Sequence, residues 1–162
     1  ELNKYEKELN LLINNNGRYN PKELRSELQT VMWNDVGIIR KSSKLKTALK
    51  QLNDIKNKFK KIKIKGKELA NNEDFVIALD IKNLLIPAES VIGSALMRKE
   101  SRGAHFRSDY PKEKSKLYNV MCYRKGSKMV LKTRAVAKSS GDIARLLRSE
   151  MKNKVEHKIG AE

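Results

Sequence analysis

Residues 71–97, NNEDFVIALDIKNLLIPAESVIGSALM, form the longest apolar segment of the chain and set its architecture. Either asparagine at its start can cap a helix, and the acidic pair that follows suits the positive end of the helix dipole. The apolar residues have helical spacing, so the segment is predicted to be the central helix. Pro87 removes one backbone donor, which predicts a kink or a break near residues 83–85. The small residues 93–95 would allow another element to approach closely.

Three further helices are predicted before this segment. The first follows apolar residues at steps of three and four over residues 2–12 and ends in the polar run 14–17. The third can be capped by Ser42 or Ser43, and its apolar stripe continues to Ile62 beside a face of lysines. The second has an N-cap, a proline at the first helical position, an acid in the first turn and a terminal glycine: Asn20, Pro21, Glu23 and Gly37.

After the central helix, strand-like stretches at residues 117–123 and 129–135 predict a β-hairpin. We therefore expect a mainly α fold: a helical bundle of three to five helices with a three-helix core like that of a spectrin repeat, and a small C-terminal β-hairpin. Residues 1–110 would form the bundle, and residues 111–162 would extend it with the hairpin and a last helix. That last helix is indicated by apolar residues at helical spacing: Ile143, Leu146, Leu147 and Met151.

The chain has 162 residues, which suits one domain, and a formal net charge of +17. Such a charge leaves open an autonomous basic helical module that binds nucleic acid or an acidic protein. Aromatic residues are only 6% of the chain, so bases would find few stacking platforms and nucleic acid is disfavoured. No apolar run approaches the roughly 20 residues of a membrane span, which predicts no transmembrane segment. The lone cysteine favours a reducing, cytoplasmic setting, and the start at Glu1 suggests a piece of a longer protein.

The sequence lacks the usual cofactor and metal motifs. No two glycines lie two residues apart, so the Gly-x-Gly-x-x-Gly turn of a dinucleotide site is absent. One cysteine and two histidines are too few for an ordinary zinc or iron-sulfur site. Cys122 and His105 would have to form any nucleophile pair, but Cys122 lies in a predicted strand and is better explained as a small buried hydrophobe. We expect no catalytic, cofactor-binding or metal-binding residue in this chain.

Residues 97–111, MRKESRGAHFRSDYP, are unusually dense in polar groups. The segment contains arginines, whose planar guanidinium groups donate several hydrogen bonds, and carboxylates that can each accept two. Gly103 permits a backbone turn. Spacing alone favours a helix C-terminus that Gly103 terminates and whose carboxylates neutralise the arginines. His105 is then expected to be a partly buried histidine that donates to a carbonyl or carboxylate.

This segment closely resembles a motif in the C-terminal helical domain of succinate dehydrogenase and fumarate reductase flavoproteins and of the related L-aspartate oxidases. The resemblance runs from Pro21 to Pro111 and continues more weakly to Val136. Arg107 and the hairpin favour the succinate/fumarate branch, whereas Pro87 departs from the family pattern. Further matching stretches lie in the second and central helices: ELR at 23–25, MW at 32–33, VGIIR at 36–40 and NLL at 83–85.

The resemblance implies that FAD and the dicarboxylate lie between a Rossmann-type domain and a capping domain that precede this region. The chain would pack against those FAD-binding and capping domains and help present them to an iron-sulfur subunit, in a parent complex associated with the membrane. Met32 and Trp33 are expected in core or interdomain packing. The motif residues would lock the fold and its interfaces: Arg98, Glu100, Ser101, Arg102, Gly103, His105, Arg107, Asp109 and Tyr110.

Overall fold

A computed structural model describes residues 2–126 and 128–136 together with Gly141. Four helices and four strands follow one another in the order α1 (Leu2–Ile13), α2 (Pro21–Val36), β1 (Ile39–Arg40), α3 (Ser42–Phe59), α4 (Glu73–Met97), β2 (Phe106–Arg107), β3 (Tyr118–Lys125) and β4 (Lys128–Ala135). The predicted mainly α fold with a C-terminal hairpin is confirmed. The helix expected around Ile143 lies outside the described residues.

Helices α2, α3 and α4 pack against one another and enclose the core. Each helix presents a stripe of apolar side chains inward, and those of Leu45, Leu52, Ile81 and Ile92 are 0% exposed. Burial of this kind is the main favourable term in folding, because it removes apolar surface from water. The predicted three-helix core is therefore confirmed, with α1 packed on α4. No helix in the described part of the chain is long and apolar enough to span a bilayer.

Two predicted helix caps are present in the structure. The Asn20 side chain accepts a hydrogen bond of 2.8 Å from the Lys22 amide at the start of α2. At the start of α4, Asn72 rather than Asn71 is the cap, and its Oδ1 accepts from the Phe75 amide at 3.0 Å. Each asparagine satisfies a donor that the helix itself leaves unpaired.

Of the kink or break expected near residues 83–85, the break is wrong, because α4 is continuous from Glu73 to Met97 with Pro87 inside it. Both Pro87 and Asn83, whose carbonyl loses its helical donor, are exposed, so water can replace the missing bond. Gly103 does not end the helix either: α4 stops at Met97, six residues earlier. The small residue Gly93 does allow close approach, since an added Cβ would lie 2.6 Å from Leu131 of the hairpin.

The prediction that α3 extends to Ile62 is also wrong, since the helix ends at Phe59. Ile62 is still 0% exposed, because it enters the core from an extended segment that pairs with Tyr19. The apolar spacing therefore predicted the burial of Ile62 correctly, but its helical conformation wrongly. Gly17 makes this pairing possible, and its amide donates to the Ile62 carbonyl at 3.0 Å.

Gly17→Ala is expected to lower the free energy of unfolding by about 1–3 kcal/mol, the usual cost of overpacking. An added Cβ would lie 2.0 Å from the backbone oxygen of Lys61, which cannot move without shifting the chain. Urea denaturation of the 162-residue chain measures the change. Gly141→Ala is the matched control, because no atom of the residues that the structure describes lies within 4 Å of its added Cβ. Equal stability of the two variants would contradict the close contact.

The hairpin pairs β3 with β4 antiparallel, from Tyr118 opposite Ala135 to Lys125 opposite Lys128. Cys122 is exposed, so its expected burial is wrong. A two-stranded hairpin has no second layer of its own, and most side chains near its tip remain in contact with solvent.

Two neighbouring apolar side chains on α2 differ in burial. Met32 packs partly buried against the core, whereas the side chain of Trp33 is 83% exposed. Of the expected core or interdomain packing, core packing is therefore confirmed for Met32, whereas for Trp33 only interdomain packing stays a prediction. The reason is helical geometry: at about 100° per residue, Trp33 lies on the face that turns away from α3 and α4.

Candidate functional site: the arginine loop

Residues 98–110, here called the arginine loop, connect the end of α4 to the chain before the hairpin. The loop turns back at Gly103, whose φ of +56° is one that glycine adopts readily. Backbone bonds of 2.9 and 3.1 Å between Arg102 and His105 close this turn. Strand β2 then pairs in parallel with β1, with Arg107 opposite Arg40. The loop therefore bridges the end of α4 and the α2–α3 connection.

Arg107 is the centre of the loop, and its side chain is 0% exposed. Its guanidinium donates two hydrogen bonds to the Asp109 carboxylate, from Nε at 2.8 Å and from Nη2 at 2.9 Å. Nη2 also donates to the Ser42 hydroxyl at 2.7 Å. Nη1 donates to the carbonyls of Ala95 at 2.6 Å and Arg98 at 3.3 Å. All five guanidinium donors thus have partners, which is what a fully buried arginine requires.

Asp109 explains why neither serine caps α3. Its carboxylate accepts from the Ser42 amide at 2.9 Å and from the Ser42 hydroxyl, so it takes the place of a cap from 67 residues away. Residue Lys41, at the N-cap position, makes no side-chain cap bond. Arg107 and the two Ser42 donors hold the pKa of Asp109 well below its usual range. The carboxylate therefore remains ionised and completes an ion pair with the buried guanidinium of Arg107.

Glu100 is the buried carboxylate of the loop, and its side chain is 0% exposed. It accepts from the Lys114 amide at 3.0 Å and pairs with Arg98 and with Arg102, the latter at 3.2 Å. The Lys114 amide is the main cause that lowers the pKa of Glu100, and the two arginines add to it. Arg102 also reaches the exposed carboxylate of Glu113 at 2.8 Å.

Two other loop residues, Arg98 and Ser101, connect the hairpin and the two limbs of the loop to the end of α4. Arg98 donates to the Tyr118 carbonyl at 2.7 Å, and its guanidinium lies 4.6 Å from the centre of the Tyr118 ring. The Ser101 hydroxyl accepts from the Arg107 amide at 2.8 Å and donates to the Tyr110 carbonyl at 2.9 Å. The first residue of the hairpin and both limbs of the loop are therefore tied to the end of α4.

His105 is half-buried between two arginines. Arg40 can only donate, so its Nη1, at 2.8 Å, fixes the histidine Nδ1 as an acceptor. Nε2 then carries the proton and donates to the Arg98 carbonyl at 3.3 Å. Burial is the main cause that lowers the pKa of His105, and the charges of Arg40 and Arg107 lower it further. The expectation of a partly buried histidine bonded to a carbonyl is confirmed.

The lowered pKa of His105 predicts a stability that depends on pH. An unfolded histidine titrates near 6.5, so the unfolded chain binds more protons than the folded chain as pH falls through this range. The contribution is complete above about pH 7.5 and declines on acidification by up to about 1.4 kcal/mol per pH unit.

Denaturation of the wild-type chain at several values between about pH 5.5 and 7.5 measures this slope. His105→Gln is expected to flatten it, and His157→Gln serves as the matched control. Equal slopes in the wild type and the His105→Gln chain would contradict the assignment of a neutral, buried ring.

The loop brings its predicted residues together but points their polar atoms inward. Its arginines, carboxylates and histidine bond to each other or to the backbone, which leaves no convergent donor set for a cofactor phosphate. Within residues 2–126 and 128–136, no group of three or more His, Cys, Asp or Glu side chains could hold a metal ion. The arrangement can lock several chain segments into one geometry. Sequence reasoning missed two members, Arg40 and Ser42, because both come from a distant segment.

The family of the chain follows from comparison with known proteins. The family described as fumarate reductase flavoprotein C-term matches residues 25–153, which is most of the chain. The chain therefore belongs to this family, and it is the C-terminal helical domain of a flavoprotein subunit of the succinate dehydrogenase and fumarate reductase type. The alternative of an autonomous basic module is not supported.

Individual relatives agree with this assignment. The fumarate reductase flavoprotein subunit of Helicobacter pylori is 39% identical over 104 residues, which cover 64% of this chain and 15% of that protein. The succinate dehydrogenase flavoprotein subunit of Rickettsia felis is 41% identical over 96 residues, covering 59% and 16%. A chain of E. coli quinol fumarate reductase has a TM-score of 0.76 at 26% identity, covering 83% and 24%. The chain thus spans about 15% of the length of the curated relatives it matches.

Proposed function

We propose that this chain is the structural C-terminal scaffold of an FAD-dependent oxidoreductase that acts on succinate or fumarate. The observation that carries the proposal is the inward-paired arginine loop in a chain of this flavoprotein family. Groups whose hydrogen bonds are all used within the domain do not meet a substrate. The loop residues are therefore fold-locking residues, and their effect on the reaction is indirect.

The loop supports this function because it connects three pairs of structural elements. Arg107 connects the end of α4 to the start of α3, Arg98 connects α4 to the hairpin, and β2 pairs with the strand that follows α2. A buried polar network with every member satisfied makes a structure rigid and specific. A rigid bundle presents a surface of fixed shape to the domains that hold the flavin.

The chain's own residues do not fit FAD. A dinucleotide pyrophosphate needs closely spaced glycines and free backbone donors at a helix N-terminus, and the sequence has no glycine pair of that spacing. FAD would supply the hydride chemistry from the rest of the parent protein. We therefore assign the flavin, the dicarboxylate and every chemical step to residues outside this chain.

The partners of the scaffold follow from the same proposal. They are the FAD-binding and capping domains of the parent chain and an iron-sulfur subunit, and the parent complex lies on the cytoplasmic side of a membrane. The relative from E. coli is described as a quinol fumarate reductase, which supports a membrane-associated complex. The scaffold itself takes no part in electron transfer.

Expression of the full-length flavoprotein that contains this chain tests the proposal. The purified protein is expected to show flavin absorbance and to reduce fumarate with a reduced dye or to oxidise succinate. The 162-residue chain purified alone is the control and is expected to show neither property. Flavin bound by the isolated chain, or a full-length flavoprotein inactive toward both dicarboxylates, would contradict the proposal.

A further inference from the structure

A cavity of about 540 Å³ opens between the C-terminal part of α4, strand β1, the arginine loop and the start of β3. We call it the Arg40 cavity. None of the described residues that line it is acidic, and its polar side chains include those of Arg40, Ser90, Ser94, Arg98 and His105. Small-molecule sites in proteins have volumes of roughly 300–1,000 Å³ and combine a few placed polar groups with apolar walls. The Arg40 cavity therefore has the size of a small-molecule site.

Arg40 is the basic group of this cavity whose hydrogen bonds are incomplete. Its Nε donates to the Val36 carbonyl at 3.0 Å, and its Nη1 donates to Nδ1 of His105 at 2.8 Å. A guanidinium has five N–H donors, so three remain without a partner among the described residues. No carboxylate of the described residues lies within 4.0 Å of this half-buried cation. Arg40 therefore has both hydrogen-bond donors and an unpaired charge to offer an anion.

The neighbouring arginines differ from Arg40 because each has a carboxylate partner. Arg107 pairs with Asp109 at 2.8 Å, and Arg98 pairs with Glu100. Burial, followed by the charge of Arg107, lowers the pKa of Arg40. Both causes disfavour an isolated cation at this position, and an anion beside it would reduce that cost. The charge of the cavity thus favours a negatively charged ligand.

The apolar part of the cavity restricts the kind of anion. Val91 of α4 and Val120 and Met121 of β3 line it together with the basic groups. An inorganic phosphate or sulfate is polar on every side, so contact with these side chains would remove water from its oxygens without a hydrogen bond in return. An organic carboxylate has one charged end and an apolar body, and its charged end accepts two parallel bonds from an arginine. An organic carboxylate therefore matches the cavity better.

We propose that the Arg40 cavity binds a small organic carboxylate, whose charged end bonds the free donors of Arg40 and whose carbon chain packs against the apolar wall. The hydroxyls of Ser90 and Ser94, one helical turn apart on α4, can donate to the same carboxylate. His105 holds Nη1 of Arg40 and so helps to position the guanidinium. The inference goes beyond the proposed function, because it concerns a ligand of this chain's own residues.

Chemical modification of the full-length flavoprotein with phenylglyoxal tests the proposal, because this reagent reacts with accessible arginines and peptide mapping gives the rate at each of them. Butyrate is the probe, and a ligand of so few atoms is expected to bind with a Kd of about 1–10 mM. At about 50 mM butyrate, the modification of Arg40 is therefore expected to slow at least about fivefold. Arg124, exposed at the hairpin tip and outside the cavity, is the internal control and is expected to react at an unchanged rate. Butyramide, the uncharged analogue, is expected to give no protection.

Three results would overturn the proposal. Equal rates at Arg40 with and without butyrate would show that no carboxylate binds there. Equal protection by sulfate and butyrate at the same ionic strength would show a site for any anion. Slow modification of Arg40 in the full-length protein without butyrate, together with fast modification in the isolated chain, would show that another part of the parent protein fills the cavity.

A substitution in the cavity wall provides a second measurement that leaves Arg40 in place. Val91→Glu adds a carboxylate to the wall at a side chain that is 41% exposed, so the substitution does not disturb the core. The added carboxylate is expected to remove the protection of Arg40 by butyrate, because it repels the probe and occupies its place. Val76→Glu, at an exposed valine of α4 outside the cavity, is the matched control and is expected to keep the wild-type protection. Undiminished protection in Val91→Glu would place butyrate elsewhere and overturn the assignment.

Discussion

Arg107→Ala is expected to lower the free energy of unfolding of the chain by about 3–5 kcal/mol, because it removes a buried guanidinium and leaves the charge of the half-buried Asp109 carboxylate uncompensated. Asp109 would lose both of its bonds to the guanidinium, and the carbonyls of Ala95 and Arg98 would lose donors inside the protein. The start of α3 would also weaken, because Arg107 holds the Ser42 hydroxyl in place. Urea denaturation followed by far-ultraviolet circular dichroism measures the loss.

Two further variants make this prediction specific. Arg107→Lys is expected to recover only part of the loss, since an ammonium has three donors and no planar fork to match the five bonds of the guanidinium. Arg134→Ala removes an exposed arginine and is expected to change the stability by less than about 0.5 kcal/mol. A loss below about 1 kcal/mol in Arg107→Ala would mean that the network contributes little to stability.

Glu100→Ala in the full-length flavoprotein is expected to reduce the yield of assembled, flavin-containing enzyme severely while kcat per bound flavin changes little. The substitution leaves Arg98 and Arg102 without their shared buried carboxylate and the Lys114 amide without its acceptor. A loss of about 3–5 kcal/mol would consume much of a domain's stability of roughly 5–15 kcal/mol. Arg102→Ala is expected to act in the same direction, but less, because Arg102 is partly exposed.

Two measurements separate scaffolding from catalysis in these variants. Size-exclusion chromatography gives the yield of assembled enzyme, and single-turnover fumarate reduction gives the rate of the chemical step per flavin. Glu113→Ala is the matched control, because Glu113 also pairs with Arg102 but is largely exposed. Wild-type yield with a severe loss of turnover in Glu100→Ala would place Glu100 in the catalytic machinery and contradict the scaffold.

Local sequence signals predicted those parts of the fold that depend on neighbours along the chain. The caps Asn20 and Asn72 bond amides two and three residues away, so spacing identified them correctly. The extent of α3 was mispredicted, because apolar spacing records burial and Ile62 is buried without being helical. Of the kink or break predicted near residues 83–85, the break is wrong, because water can replace the one missing backbone bond at the exposed Asn83 carbonyl.

The sequence predicted most of the residues that form the site, but not the hydrogen bonds that connect them. Residues 98–110 were recognised as a charged cluster, and the pairing of Arg107 with Asp109 joins near neighbours. Arg40 and Ser42, in contrast, meet the loop across 65 to 67 residues, and no periodicity encodes a contact of that separation. The sequence also did not indicate that Trp33 is exposed in this domain. Hydrophobicity favours burial, but it does not say whether the covering surface belongs to the same domain.

The carboxylate that completes the first turn of α3 has a consequence for the order of folding on the ribosome. The amide of Ser42 is synthesised 67 residues before its acceptor in Asp109, so α3 emerges with a frayed start and gains its final hydrogen bonds late. Translation at about 5–20 residues per second makes this delay several seconds, far longer than the microseconds in which helices form. Nascent chains stalled before residue 109 should therefore be cleaved readily by protease near residue 42, and chains stalled well beyond residue 109 should resist.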